Sequence, residues 1–340
     1  LAAPVPAART YHALCTGYAG LLGAVWSHRT GRRFLLTEHG IYARERTLEL
    51  SRAAWVPRRD VPVDERTAAP LQRIWDRFFK SLARCAYSQA WRVVTLSEVN
   101  RQRQLADGAT PAQTLVIPNG IDVEGLERRL SGAGDLTRRP GPARVGFVGR
   151  LVPIKDVGTF IRACALALKT VELEVHVIGP LDEDPAYARR CKKLVEALGL
   201  SAKVFFDGPQ PLERIYRQLD MVVLTSLSEG QPLVLLEAGA AGIPVIATNV
   251  GACRELIYGR DEPDRRIGPS GIVTPLAAPE ETAAAIVRLA RDPALRRRLG
   301  TAGRTRVRTF YRQRDTVDRY RALYREGGGL WLASGGASNA

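Results

Sequence analysis

The sequence is short of the residues that most often announce chemistry: one methionine, Met221, four histidines and five cysteines. Cys15, Cys85, Cys164, Cys191 and Cys253 form no CxxC pair, and none stands at metal-ligand spacing from a histidine. Zinc-site and thioredoxin-type readings are therefore disfavoured. An odd number of widely scattered cysteines fits reduced, mostly buried thiols and a cytoplasmic setting. There is no run of about 18 apolar residues, so no membrane-spanning helix is expected, and no secretory leader pattern is seen. No GxGxxG is present, which disfavours a dinucleotide enzyme. The strand-end loops are read without an Asp-x-Asp motif, so no metal is expected.

What the chain does have is positive charge, a formal +15 over 340 residues. Such a field attracts polyanions. The excess is spread over both halves of the chain, so nucleic-acid binding is not expected and most arginines read as solvated helix faces. The 45% hydrophobic content is enough for two α/β domains with real cores.

Short apolar runs mark strands at 33–38, 93–96 and 114–117, with a helix at 17–26 before the first and helices at 64–90 and 98–107 between them. Residues 131–142 (SGAGDLTRRPGP) hold three glycines and two prolines without apolar periodicity, and read as a linker. Beyond it strands at 145–148, 173–178, 203–206, 220–225 and 244–248 alternate with helices at 157–168, 185–198, 211–218 and 231–241. That alternation means a parallel sheet covered on both faces. Helices at 279–290, 293–309 and 314–325 follow, and a tail at 327–340 reads as disordered. The expected domains are 1–135, 143–313, a helix 314–325 crossing back to the first domain, and the tail. With Leu1 as first residue and three strands legible before the linker, the first domain is expected to be incomplete at its N-terminus, and transfer by this chain to be weak.

Two loops of the second domain carry the candidate chemistry. The first, Gly149 to Asp156, runs from a strand to a helix and holds Arg150 and Lys155. A guanidinium fork and an ammonium on such a loop suit a diphosphate, and they equally suit an ordinary surface. The second, Ser228 to Glu237, holds Glu229 before a helix and Glu237 about two turns into it. A carboxylate in so apolar a helix is costly unless it meets a polar partner, and a ribose diol is one. Eight residues of helix separate the two by roughly 12 Å, too far to flank one glycosidic bond as a hydrolase pair does. Among the histidines, His176 reads as structural, His28 as surface and His12 as a possible cleft residue. His39 stands in a loop at a strand end.

The Glu229-x7-Glu237 spacing resembles the EX7E signature of retaining glycosyltransferases of family 4. The loop at 149–156 and the run 228–248 are similar to that family across 143–325. In the first domain, 11–24 (YHALCTGYAGLLGA), 34–46 (FLLTEHGIYARER) and 116–122 (VIPNGID) resemble its PelF-type subgroup, from the Pel exopolysaccharide system. The resemblance implies a GT-B α/β fold, with two Rossmann-like domains facing a cleft. It implies UDP-glucose as donor, a polysaccharide or sugar acceptor, no metal or cofactor, and work at the cytoplasmic side of an inner-membrane synthase complex. It places the diphosphate on Arg150 and Lys155, the ribose on Glu237, and the sugar on Glu229 with backbone groups of Gly230, Gln231, Pro232 and Leu233. The base borders Phe206 and Gly208, and His39 faces the transferred sugar. Two other classes stay open: a UDP-sugar epimerase of the same architecture, and a non-catalytic binding module of a polysaccharide complex.

Overall fold

The computed structural model describes residues 4–52, 65–131 and 141–329. The chain divides into two compact units, one of residues 1–118 with 317–340, the other of residues 119–316. Among the described residues no helix is long and apolar enough to cross a membrane.

The first unit runs β1 (Thr10–Ala13), α1 (Tyr18–Thr30), β2 (Arg33–Glu38), α2 (Tyr42–Arg52), α3 (Glu65–Gln89), β3 (Arg92–Thr95), α4 (Glu98–Ala106) and β4 (Thr114–Val116). Its four strands are parallel and lie in the order β1-β2-β3-β4. The expected three strands are correct, and β1 is the one missed. Its four residues alternate half-buried and buried, with Tyr11 and Ala13 in the core; a strand so short, carrying Thr10 and His12, has too little apolar signal to read. Ser97 accepts from the Asn100 N–H and caps α4 as its hydroxyl suggested.

The second unit runs α5 (Val123–Leu130), β5 (Ala143–Val148), α6 (Val157–Ala167), β6 (Leu173–Ile178), α7 (Pro185–Ala197), β7 (Val204–Gly208), α8 (Leu212–Gln218), β8 (Met221–Leu224), α9 (Leu233–Ala241), β9 (Val245–Thr248), α10 (Cys253–Tyr258), α11 (Glu262–Arg265), β10 (Gly271–Thr274), α12 (Pro279–Arg291) and α13 (Pro293–Phe310). Its six parallel strands lie in the order β10-β9-β8-β5-β6-β7. Core side chains cover both faces. Phe147, Phe160, Val175 and Ile286 lie on one, and Tyr216, Val222, Leu236 and Val307 on the other. The winding reverses between β5 and β8, and open parallel sheets bind ligands outside the strand C-termini at that reversal.

The boundary differs from the expected linker. Residues 119–130 belong to the second unit, where Val123 and Leu126 are buried in its core. Composition marks a loop but not the side on which the preceding helix packs. The Ile121 N–H donates to the Tyr311 carbonyl at 2.9 Å, and the Gln313 N–H to the Ile121 carbonyl at 2.9 Å. A side chain at Gly120 would stand 2.4 Å from the Arg312 backbone, so only glycine permits this pairing. Residues 132–140 of the expected linker lie outside the described residues.

The last helix, α14 (Gln313–Gly329), is longer than expected, so the tail does not begin at 327; residues 330–340 lie outside the described residues. From Val317 onward α14 belongs to the first unit. Tyr324 and Tyr320 reach the strand ends there. His12 Nδ1 lies 2.6 Å from the Tyr324 hydroxyl and Nε2 2.9 Å from the Thr37 hydroxyl, itself 3.0 Å from the Tyr320 hydroxyl. Both ring nitrogens of His12 are thus engaged within the fold.

Burial, with His39 nearby, holds the His12 imidazole down at about 4, against 6.5 for a free ring. An unfolded chain therefore takes up a proton that the folded one refuses. The stabilisation is whole above about 6.5 and is lost as the pH falls towards 4. Calorimetric melting temperatures should fall more steeply over that window in the wild type than in His12→Gln; parallel curves would contradict this assignment.

Candidate functional site

The loops after β5 and β8 flank the reversal of the second sheet. At the end of β5, Gly149 takes φ +155°, and Gly179 after β6 takes φ +144°. A Cβ on Gly179 would sit 2.0 Å from the Gly149 carbonyl oxygen, so glycine lets the two strand ends close together. Asp156 then adopts the left-handed conformation at φ 46°, and its carboxylate caps α6 by accepting from the Thr159 N–H and hydroxyl. A non-glycine residue in that conformation is strained and persists where its surroundings hold it. Here the Thr225 hydroxyl, just past β8, donates to the Asp156 carbonyl at 2.8 Å. The Leu227 N–H donates to the Ile154 carbonyl at 2.9 Å.

The two loops are joined by an ion pair. Lys155 Nζ lies 2.5 Å from Glu229 Oε1, with side-chain exposures of 17% and 11%. A pair this sheltered is screened little by salt and holds both groups in fixed orientation. Gly251 keeps the Glu229 loop in place: a Cβ there would stand 2.0 Å from the Glu229 carbonyl oxygen. Sequence reasoning put a diphosphate group and a sugar group on these two residues separately. The structure brings them into direct contact.

Arg150 is not part of that pair. Its guanidinium bonds Glu183 at 3.1 Å in an exposed ion pair. Glu183 belongs to an Asp182-Glu183-Asp184 run after β6, an Asp-x-Asp that the sequence reading passed over. Asp184 caps α7 by accepting from the Tyr187 N–H at 2.8 Å.

The helix carrying Glu237 starts later than expected, at Leu233, because Pro232 occupies its N-cap. Glu229 is therefore in an irregular loop and the helical spacing of roughly 12 Å does not apply. No side chain caps α9 and its first turn has no acidic residue. A helix start left uncapped in this way suits an anion. Glu237 lies one turn in, with Oε2 accepting from the Tyr216 hydroxyl at 2.7 Å. Burial pushes the Glu237 carboxyl up, and the Tyr216 bond draws it back. The sequence reading missed Tyr216, since nothing in α8 marks it as the partner of a residue 21 positions away.

The Gln231 side chain has a task of its own, separate from the backbone role expected of this residue. Its amide oxygen accepts from the Asn119 N–H at 2.7 Å and its amide nitrogen donates to the Asn119 carbonyl at 3.2 Å. The side chain clamps the start of the second unit, which leaves only its backbone for a ligand. Gly230 has its carbonyl on the Ala252 N–H at 2.9 Å, Pro232 is buried, and Leu233 is exposed. Phe206 packs against the core with the Lys192 ammonium 5.7 Å from its ring. Gly208 closes β7 at φ +68°, its carbonyl accepting from the Gly179 N–H at 3.0 Å. In the first unit, His39 follows β2 and is exposed.

Residues 134–306, half of the chain, match the family described as glycosyl transferases group 1. The chain belongs to that family. Residues 1–112 match a separate family, a domain of unknown function, DUF3492. A D-inositol 3-phosphate glycosyltransferase from Geodermatophilus obscurus is 33% identical over 255 residues, covering 70% of this chain and 53% of its own length. This group 1 chain thus spans about half the length of the curated relatives it matches. Two solved structures share its fold. Sucrose-phosphate synthase from Thermosynechococcus elongatus has TM-score 0.73 at 23% identity, over 96% of this chain and 74% of that one. Anabaena Alr3699/HepE in complex with UDP-glucose has TM-score 0.65 at 20% identity, over 92% of this chain and 79% of that one. The fold is GT-B, with two Rossmann-like parallel sheets.

Proposed function

We propose that this chain is a retaining glycosyltransferase that moves a hexosyl unit, glucose by first choice, from a UDP-sugar to a hydroxyl of a growing exopolysaccharide. The observation that carries the reading is the sheltered Lys155–Glu229 pair beside the uncapped start of α9, at the reversal of a parallel sheet. A cation and a helix terminus suit the diphosphate, with Arg150 as a second cation, and Glu229 suits sugar hydroxyls. Glu237, anchored by Tyr216 through one oxygen, suits a ribose diol through the other.

In the reaction the bond from the anomeric carbon to the diphosphate oxygen breaks, and a bond from the acceptor oxygen to the same carbon forms. The acceptor proton passes to the departing phosphate on the same face. Lys155 and the α9 N–H groups stabilise the charge that grows on the leaving group. His39 is the further residue we assign to the transfer step. The polysaccharide acceptor is supported by the runs 11–24, 34–46 and 116–122; on this reading an inner-membrane synthase complex receives the product at the cytoplasmic face. A second reading, a phosphorylated cyclitol acceptor, is favoured by the names of the curated relatives. UDP release from UDP-glucose stimulated by D-inositol 3-phosphate would select it.

Calorimetric titration tests the donor assignment. Glu237→Ala should weaken UDP binding more than Glu229→Ala does, by about 1.5–3 kcal/mol relative to wild type, the worth of a charge-assisted hydrogen bond. UDP affinity equal to wild type in Glu237→Ala would refute the ribose role.

A further inference from the structure

The residue before His39, within the 34–46 run, is a glutamate to which the resemblance assigned no role. Glu38 ends β2 and is 1% exposed. Its Oε1 accepts from the Thr16 hydroxyl at 2.9 Å, and Oε2 from the Tyr87 hydroxyl at 2.6 Å and the Gln104 amide at 2.9 Å. The Tyr42 backbone N–H donates to the same carboxylate. The loop after β1, the head of α2, α3 and α4 thus converge on one side chain. All four partners are donors, which suits an acceptor-only carboxylate. An apolar side chain would close such a core without the cost of desolvating a charge. The carboxylate does something an apolar group could not: it fixes direction.

What it fixes is the turn that carries His39. The Glu38–Tyr42 bond closes residues 38–42 upon themselves. Within the turn Glu38 and Ile41 are buried, and His39 is exposed. Gly40 lets the turn be covered, since a Cβ there would stand 2.0 Å from the Glu45 carboxylate. The Ile41 carbonyl accepts from the Arg44 and Glu45 N–H groups, locking the exit into α2.

We propose that Glu38 is a positioning residue for His39: its buried carboxylate pins the 38–42 turn at both ends so that the imidazole is presented in one orientation. The consequence for transfer rests on His39 acting in the proposed reaction; the positioning itself does not.

The experiment reads the two separately. The four histidines give four imidazole Cε1–H signals in a carbon–proton NMR spectrum. In Glu38→Gln the amide brings a donor to face donors. The His39 signal should move towards the position of exposed His28, while His176 in the second unit stays in place. UDP release from UDP-glucose, measured without acceptor so that water takes the sugar, should drop by about 10- to 100-fold, the scale of a small misplacement of a reacting group. In a His39→Ala background the same substitution should cost nothing further, because the two act as one. If Glu38→Gln does not fold, Tyr87→Phe removes a single donor and should show the same pattern at smaller size. An unmoved His39 signal in the folded variant overturns the positioning role. An equal loss of rate in both backgrounds overturns its link to transfer. If His39→Ala alone leaves UDP release unchanged while Glu38→Gln moves the His39 signal, the positioning stands and the assignment of His39 to the reaction falls.

Discussion

Replacing Lys155 with methionine is expected to weaken UDP binding about 10- to 100-fold, as loss of a hydrogen bond to a charged group at roughly 1.5–3 kcal/mol requires. The loop itself should survive. Its backbone is held by the Thr225 hydroxyl on the Asp156 carbonyl and by the Leu227 N–H on the Ile154 carbonyl, neither of which involves the ammonium. The substitution has a second consequence, because it strands Glu229. That carboxylate is 11% exposed and would lose its cation, so stability should fall as well. The double variant Lys155→Met/Glu229→Gln separates the effects. It removes the stranded charge and should recover most of the stability, but it offers the diphosphate no cation and should bind UDP as weakly as the single variant. Recovery of UDP affinity in the double variant would contradict the phosphate role of Lys155.

The largest expected loss of stability lies elsewhere in the second unit. Arg306 of α13 and Asp264 of α11 form an ion pair at 2.5 Å with exposures of 1% and 0%. The same guanidinium donates to the carbonyls of Ile257, Asp264 and Gly268. It therefore ties α10, α11 and the approach to β10 to the long helix behind them. Arg306→Met leaves a buried carboxylate without its cation and takes one donor from each of three carbonyls, of which those of Ile257 and Asp264 keep the Ser270 and Ile267 N–H groups. About 3–5 kcal/mol should be lost, the usual result of removing one partner of a buried pair. For a unit of this size that is a melting-temperature drop of roughly 6–20 °C. Arg306→Lys keeps the charge but not the planar fork and should fall between. Arg306→Met/Asp264→Asn removes the unpaired charge and should regain part of the loss. A melting temperature within a degree or two of wild type in Arg306→Met would show that the pair is dispensable.

The residues behind these two predictions also mark what the sequence makes legible. Lys155 and Glu229 could be singled out because each lies on a short loop that follows an apolar strand of the second sheet, and because the proposed diphosphate asks for a cation at such a place. Their contact could not be found, since residues 74 positions apart meet only through the strand order β5-β8. The same holds for Tyr216 beneath Glu237 and for Arg306 against Asp264. The side-chain task of Gln231 was equally out of reach: it lies inside the motif, and its amide serves the backbone of Asn119, 112 positions away. Alternation of apolar strands and helices revealed most of the second sheet. It failed at β10, four residues with glycine at the start, and at β1, where His12 and Thr10 interrupt the apolar signal. The 119–130 segment was assigned to the wrong unit because helix α5 carries its apolar face regardless of which core receives it.

The central claim is that the second unit binds a nucleotide sugar, and titration of the chain with UDP-glucose in a calorimeter tests it most directly, with GDP-glucose and ADP-glucose run alongside. UDP-glucose should bind saturably and one-to-one, at least about tenfold tighter than either other donor, the ratio that about 1.4 kcal/mol of base discrimination gives, and Lys155→Met should weaken that binding greatly. No saturable heat with any of the three would contradict it.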